Sequence, residues 1–208
     1  MKRAAIIGLG FVMYQDDHLI EIIKLMIYSY NSFIRYGCII ALAVGARDTK
    51  EAIELIWPLL SDSVDYVRQA AYIGLALLMQ VSTNASEPKL AEFRKTINEA
   101  TTKKGEDVLS KMGALLAIGI LDIGGRNMIV SLTTRSGIPK IEAVAGMIVF
   151  LNYWNWFPYI NFIGLTLTPS AFIGINSDFK IPKSFQLKSN SKPSLFGYPA
   201  NIVKEEKK

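Results

Sequence analysis

Cysteine and histidine are nearly missing from this chain: Cys38 is the single thiol and His18 the single imidazole in 208 residues. One cysteine excludes an internal disulfide framework and fits a reducing compartment, so cytoplasm and nucleus are the expected locations. One histidine leaves a Ser-His-Asp triad or a His-rich metal site a single imidazole to recruit. Excess charge is also missing where a nucleic-acid binder needs it. Residues 1–178 contain 16 basic and 16 acidic residues, and the net +5 comes from seven lysines against Glu205 and Glu206 after them. A neutral body without a basic face argues against nucleic acid as a partner. Gly8, Gly10, Asp16 and Asp17 interrupt any apolar run of the kind a secretory signal uses.

One uncharged stretch is long. From Ala143 to Ser177 no residue carries charge, and one or two membrane spans near 143–175 form the alternative to a water-facing fold. Asn152, Asn155, Pro158 and Asn161 break that stretch after about ten apolar residues, half of the roughly 20 that a spanning helix needs. A buried core helix, and no membrane, is the expected outcome.

What is present is a repeat. Lys2, Arg35, Arg68 and Lys111 are followed two positions on by Ala4, Gly37, Ala70 and Gly113, and six positions on by Gly8, Ala41, Gly74 and Ala117. Pairs such as Gly37/Ala41, Ala70/Gly74 and Gly113/Ala117 stand four apart, so on a helix each stacks on one face and leaves a shallow groove for another helix backbone. Glycine inside a helix costs about 1 kcal/mol relative to alanine, so its return at one register needs a packing reason. A fifth, degenerate copy is expected at Ile141 to Leu151, where Ala143, Ala145 and Gly146 keep the small-residue character.

Apolar-periodic segments at Leu19 to Tyr30, Glu51 to Leu60 and Leu90 to Ala100 precede the small-residue helices. The connectors Asn31-Ser32, Ser61-Asp62-Ser63 and Gly105-Glu106-Asp107 supply turns and N-caps. The unit is a helical hairpin that cannot bury its apolar face alone, which predicts a mainly α protein, an α-solenoid over residues 1–152. Beyond it, Leu165-Thr166-Leu167-Thr168, Ala171 to Ile175 and Phe185 to Leu187 read as short strands, so a small β-rich module is expected over 153–202. Residues 203–208 read as a charged, disordered end. Trp154, Trp156 and Phe157 are expected to form a buried junction between body and module.

The basic residue, small pair and Gly/Ala-Leu-Gly/Ala pattern resembles the proteasome/cyclosome repeat. Ser29-Tyr30-Asn31-Ser32-Phe33-Ile34-Arg35-Tyr36-Gly37, Asp65-Tyr66-Val67-Arg68-Gln69-Ala70, Gly119-Ile120-Leu121-Asp122-Ile123-Gly124-Gly125, Trp154-Asn155-Trp156-Phe157-Pro158 and Lys188-Ser189-Asn190-Ser191-Lys192-Pro193-Ser194 are similar, in order, to segments of the repeat-bearing scaffolds of the proteasome regulatory particle. The resemblance implies a toroidal solenoid with a C-terminal module. It further implies a non-catalytic scaffold for ubiquitin-dependent protein degradation, with the ATPase ring and other regulatory-particle subunits as partners and no cofactor, metal or small-molecule substrate. The chain departs from the family in extent: it lacks the long N-terminal rod, the earlier repeats and the acidic tail that docks a ubiquitin receptor, so that contact is not expected of it.

Three sharper readings compete with packing. Gly8-Leu9-Gly10 imitates a dinucleotide-binding turn, but Met13 stands where the helix needs a third small residue, and no ribose-binding acid follows about 20 residues on. His18 beside Asp16, Asp17 and Glu21 suggests a metal or acid-base site, although aspartates before an amphipathic helix ordinarily cap it. Arg35 and Arg68 suit a phosphate, yet their recurrence beside acids such as Asp65 favours pairing between repeats.

Overall fold

The computed structural model describes residues 1–170 except Asp48, Val81, Thr83, Ala85 and Arg135, together with Ser177, Asp178 and Lys180, and without the side chains of Arg126 and Phe157. The described chain is mainly helical. Four helices carry the small-residue pattern: α1 (Lys2–Val12), α3 (Ser32–Gly45), α5 (Asp65–Met79) and α7 (Val108–Leu121). Three partner helices alternate with them: α2 (His18–Lys24), α4 (Thr49–Ile56) and α6 (Lys89–Thr102). α1 packs on α3, α3 on α5 and α5 on α7, while α2, α4 and α6 cover α3, α5 and α7 respectively.

Local chemistry sets the ends. Asn31 caps α3 by accepting the Phe33 N–H at 3.0 Å, and Asp62 Oδ1 accepts the Val64 N–H at 2.9 Å just before α5. α7 stops in a tight turn where Gly124 and Gly125 take φ of 56° and 65°, left-handed values that a side chain would strain. The partner helices are shorter than the periodicity predicts in two places. α2 ends at Lys24, with turns carrying the chain to Tyr28. α4 gives way after Ile56 to a 3₁₀ segment, Trp57–Ser61, since Pro58 offers no N–H to continue the α ladder.

A strand also appears where the repeat reading places none. β1 (Met128–Val130) pairs antiparallel with β2 (Leu167–Pro169), Ile129 opposite Thr168. The side chain of Gln80, at the end of α5, grips β1 as a neighbouring strand would: Val130 N donates to Gln80 Oε1 at 2.7 Å, and Gln80 Nε2 donates to Val130 O at 3.0 Å. Of the predicted strands, the first is shortened, because Leu165 and Thr166 close a 3₁₀ segment (Asn161–Thr166) and extension starts at Leu167. Those at 171–175 and 185–187 lie outside the described residues, as does the 203–208 end.

α8 (Ile141–Tyr153) holds the expected fifth copy, but it does not simply extend the series. Its main packing partner is the 3₁₀ segment after it. Ala143 and Gly146 are buried and Ala145 is exposed. A side chain at Gly146 would meet Phe162 O at 2.6 Å, which explains the glycine by a new contact. Between α7 and α8 the chain pairs with Gln80 at Val130 and then folds back on itself, with an antiparallel bridge between Thr133 and Pro139 and Lys140 N donating to Leu132 O at 2.8 Å. With 13 residues, α8 falls short of the roughly 20 needed to cross a bilayer. The stretch Val108–Gly125 is long and apolar enough by composition, but its α-helix ends at Leu121. One face of that helix, Gly113, Ala114 and Ala117, is buried.

Candidate protein-interaction surface

The seams between the small-residue helices are where predicted packing positions meet geometry. A Cβ on Gly37 would lie 3.1 Å from Arg3 O and 3.2 Å from Ile6 Cβ of α1. On Gly74 it would lie 2.9 Å from Ile39 Cγ2 of α3, and on Gly113 2.8 Å from Gln69 Cα of α5. Each glycine thus admits the preceding helix closely: at Gly113 a Cβ would strike backbone, at Gly74 a side-chain methyl would have to shift, and at Gly37 the neighbours would have to give by a few tenths of an ångström. Ala41, Ala70 and Ala117 are fully buried beside them.

Ala4 and Gly8 differ. Ala4 is exposed, Gly8 is half-buried, and a Cβ on Gly8 would meet nothing within 4 Å. Their face of α1 turns away from α3, so the glycine that makes close contact in this helix is Gly10, whose Cβ would sit 2.6 Å from Ala41 Cα. Gly45, at the end of α3, is held as closely, against Gly10 O and Leu19. Neither was marked by the four-residue pairing, because both sit at helix ends where the seam closes.

Along one edge the repeated arginines tie successive connectors together. Arg35 makes a two-pronged pair with Asp62, Nε at 2.8 Å and Nη2 at 2.9 Å, and its Nη1 donates to Ser29 O at 2.9 Å. Arg68 repeats the pattern one unit on: Nη1 donates to Asp62 O at 2.7 Å, Nη2 pairs with Glu106 and Asp107, and Nε donates to Ser110 Oγ. Each arginine therefore closes the carbonyl six residues before it and reaches the acid of the next connector. Burial pushes the Asp62 carboxyl up, but the Arg35 hydrogen bond, the Val64 N–H and the charges of Arg35 and Arg68 together hold it below the ordinary carboxylate range. Asp65, the acid named from sequence, instead accepts the Tyr66 N–H in its own first turn. Both guanidiniums are spent on protein groups, which leaves the phosphate reading without a donor set.

The tryptophan cluster divides. Trp154 is buried at the end of α8, in the same pocket wall as Tyr36, whose hydroxyl donates to Leu151 O at 3.4 Å. Trp156 is 65% exposed. It is the extended N-cap of the four-residue α9 (Phe157–Ile160), so the expectation of a buried junction fails at this residue. The Phe157 side chain is outside the description.

This chain is similar over nearly its whole length to proteasome subunits. The 26S proteasome non-ATPase regulatory subunit 1 homologs B and A of Arabidopsis thaliana are each 45% identical over 202 residues, covering 96% of this chain and 20% of the relative. The 26S proteasome non-ATPase regulatory subunit 1 of Drosophila melanogaster is 42% identical over 212 positions, covering 100% of this chain and 20% of the relative. The family described as the 26S proteasome regulatory subunit RPN2 C-terminal domain matches residues 170–208. The chain is homologous to 26S proteasome non-ATPase regulatory subunit 1. It spans about a fifth of the length of those curated relatives.

Against that kinship, the reactive side chains occupy packing or solvent positions. Gly8-Leu9-Gly10 lies within α1, and residues 4–7, which a dinucleotide turn would need as its strand, are helical. Cys38 is fully buried, and burial pushes its thiol up to about 12, far from the thiolate that reactivity requires. His18 is exposed, its ring 3.4 Å from Glu21 Oε2, and Asp16 Oδ1 accepts its backbone N–H. Among the described residues no group of three or more His, Cys, Asp or Glu side chains is placed to hold a metal ion.

Proposed function

We propose that this chain is a stretch of a non-catalytic scaffold in the base of the proteasome regulatory particle, one that keeps the ATPase ring and other regulatory subunits in fixed positions for ubiquitin-dependent degradation. The observation that carries the reading is the repeated seam, small residues tied by Arg35 and Arg68, in a chain whose relatives are named proteasome regulatory subunits. Residues 1–152 are read as an arc of an α-solenoid, of the kind that closes into a toroid. Residues 153–202 are read as a β-rich module and 203–208 as a solvated end. Ala4 and Gly8 offer a further hairpin the same small-residue face that Gly37 and Ala41, Ala70 and Gly74, and Gly113 and Ala117 offer within the chain. Trp154 fastens the end of α8 to the body. A scaffold of this kind works in cytoplasm and nucleus without a cofactor.

The test is co-purification. The endogenous protein containing this chain is tagged, isolated gently with ATP present, and its partners are identified by mass spectrometry. Proteasomal ATPases and regulatory-particle subunits are the expected partners. Recovery of membrane complexes without proteasome subunits would overturn the reading.

A further inference from the structure

An apolar face beside the end of α8 stands open among the described residues. Tyr153 in α8, Tyr159 in α9 and Phe162 in the following 3₁₀ segment form a ladder of rings, with successive centroids 5.7 and 5.8 Å apart. Leu165 extends it, since Phe162 and Leu165 are both seated against Gly146. These four residues are 54%, 39%, 37% and 50% exposed. Their support is fixed: the 3₁₀ segment packs along α8, and Thr166 at its end is fully buried. Contiguous apolar surface on a rigid support marks a contact site. The face is also uncharged, because no residue from Ala143 to Ser177 carries charge. A charged occupant would give up its hydration there without a counter-charge in return.

We infer that the occupant is the chain's own stretch 193–203, which returns to the ladder and sets Phe196 and Tyr198 against Tyr159 and Phe162. The path selects it first. The chain leaves β2 heading away from Leu165, with Ser170 N donating to Asn127 O at 2.8 Å, and turns at Ser177 and Asp178. A return to the ladder therefore falls to residues after that turn. Charge selects it next. Asp178, Lys180, Lys183, Lys188 and Lys192 interrupt the sequence up to 192, whereas 193–203 has no charge and carries Leu195, Phe196, Tyr198, Ile202 and Val203. Pro193 and Pro199 restrict the backbone on either side of the two rings, so less order is lost when they settle. Reach is ample, since the intervening residues 171–192 extend to roughly 75 Å at about 3.4 Å each. Such a tether holds the stretch at an effective concentration of about millimolar, which a separate protein does not match.

The inference rests on the reading of residues 153–202 as one module and names the contact that closes it. Its test uses the full 208-residue chain with a photoreactive benzophenone amino acid in place of Tyr159, irradiated at low concentration and digested for mass spectrometry. Adducts within one chain, mapping mainly to residues 193–203, are the expected result. Phe196→Asp is expected to cut their yield at least fivefold with the far-ultraviolet helical signal unchanged. The same probe in place of Leu25, 88% exposed just past α2, is expected to give none at 193–203. Adducts between two chains, rising with concentration, would overturn the inference in favour of a second copy, and a yield untouched by Phe196→Asp would overturn it as well. Adducts confined to 171–192 would overturn it and leave the module reading standing. Absence of any adduct within 171–208 would sink both.

Discussion

The helical body up to Leu121 and the segment from Asp122 to Ser170 are held by different kinds of contact. In the body each device occurs more than once: a glycine at the seam on α3, α5 and α7, and an arginine bridging connectors at Arg35 and Arg68. In the second region each device occurs once: Gln80 on β1, Lys140 Nζ to Thr168 Oγ1 at 2.9 Å, and Gly146 under Phe162. Repetition spreads stability over nearest-neighbour interfaces, so damage at one seam loosens the units on both sides of it. A contact that occurs once fails alone. The comparison separates substitutions that unfold the array from those that release one strand.

The largest effect is expected at the seams. Gly113→Leu drives a side chain into Gln69, whose Cα, Cγ and O lie 2.8, 2.9 and 3.0 Å from the new Cβ. Backbone cannot swing aside as a side-chain tip does, so a loss of about 3 kcal/mol, the upper end for overpacking, is expected in urea melts. Gly8→Ala sharpens the point. It has open space and should gain up to about 1 kcal/mol from helix propensity. Equal midpoints for the two variants would break the account of the seam.

Next comes the arginine edge. Arg35→Met removes charged hydrogen bonds to Asp62 from a site where the side chains are only 13% and 8% exposed, and about 2 kcal/mol should be lost at neutral pH. The loss carries a pH signature. Because the Asp62 carboxyl is held below its ordinary value of 3.8, its contribution is fully present above about pH 4 and disappears as pH falls through the lower folded-state value. Wild type and Asp62→Asn should therefore differ at pH 7 and converge below that range. A gap that stays constant with pH would separate the stability of this edge from the charge of Asp62.

How much of this was legible beforehand follows from what each region encodes. The helical character and the kinship show in the sequence because Lys2, Arg35, Arg68 and Lys111 keep register with small residues, and a repeated constraint leaves a repeated mark. The acids that complete the edge were harder to find. Asp62, Glu106 and Asp107 lie 27, 38 and 39 residues beyond their arginines, since the loops between hairpins differ in length; their signal was an acid in each connector. β1 had a short signal, the Ile129-Val130 pair after Gly124-Gly125. Its partner, Gln80, had none, because one glutamine at a helix end says nothing of what it will bind. Gly10 was in the pattern but its role depends on helix rotation, which a period of small residues does not specify.

Gln80→Leu tests the region held by single contacts. It removes a donor and an acceptor from Val130, worth about 1–2 kcal/mol if the strand stays buried, and less if β1 detaches into water. The expected readout is local: the Val130 amide should exchange hydrogen much faster while amides within α3 and α5 keep their protection. Uniform loss of protection through the helices would show that β1 is part of the body's cooperative unit.

The smallest loss belongs to the alanine variant of Cys38, a residue that occupies in α3 the register that Ala5, Ala71 and Ala114 hold elsewhere. Cys38→Ala should cost about 1 kcal/mol, the loss of one buried atom and the small space it leaves. Cys38→Ser keeps the volume but sets a hydroxyl among buried apolar neighbours, and about 1–3 kcal/mol is expected if it finds no partner. The order of these two variants tests whether the position is purely for packing. Thiol labelling gives the same answer by another route. With the folded thiol pushed up to about 12 and no exposed surface, native chain at pH 8 should react with a thiol reagent only as fast as it opens, and denatured chain at once. Rapid labelling of the native chain, with helix content unchanged, would mean that the α3 seam opens without unfolding, and the repeated region would then be the looser of the two.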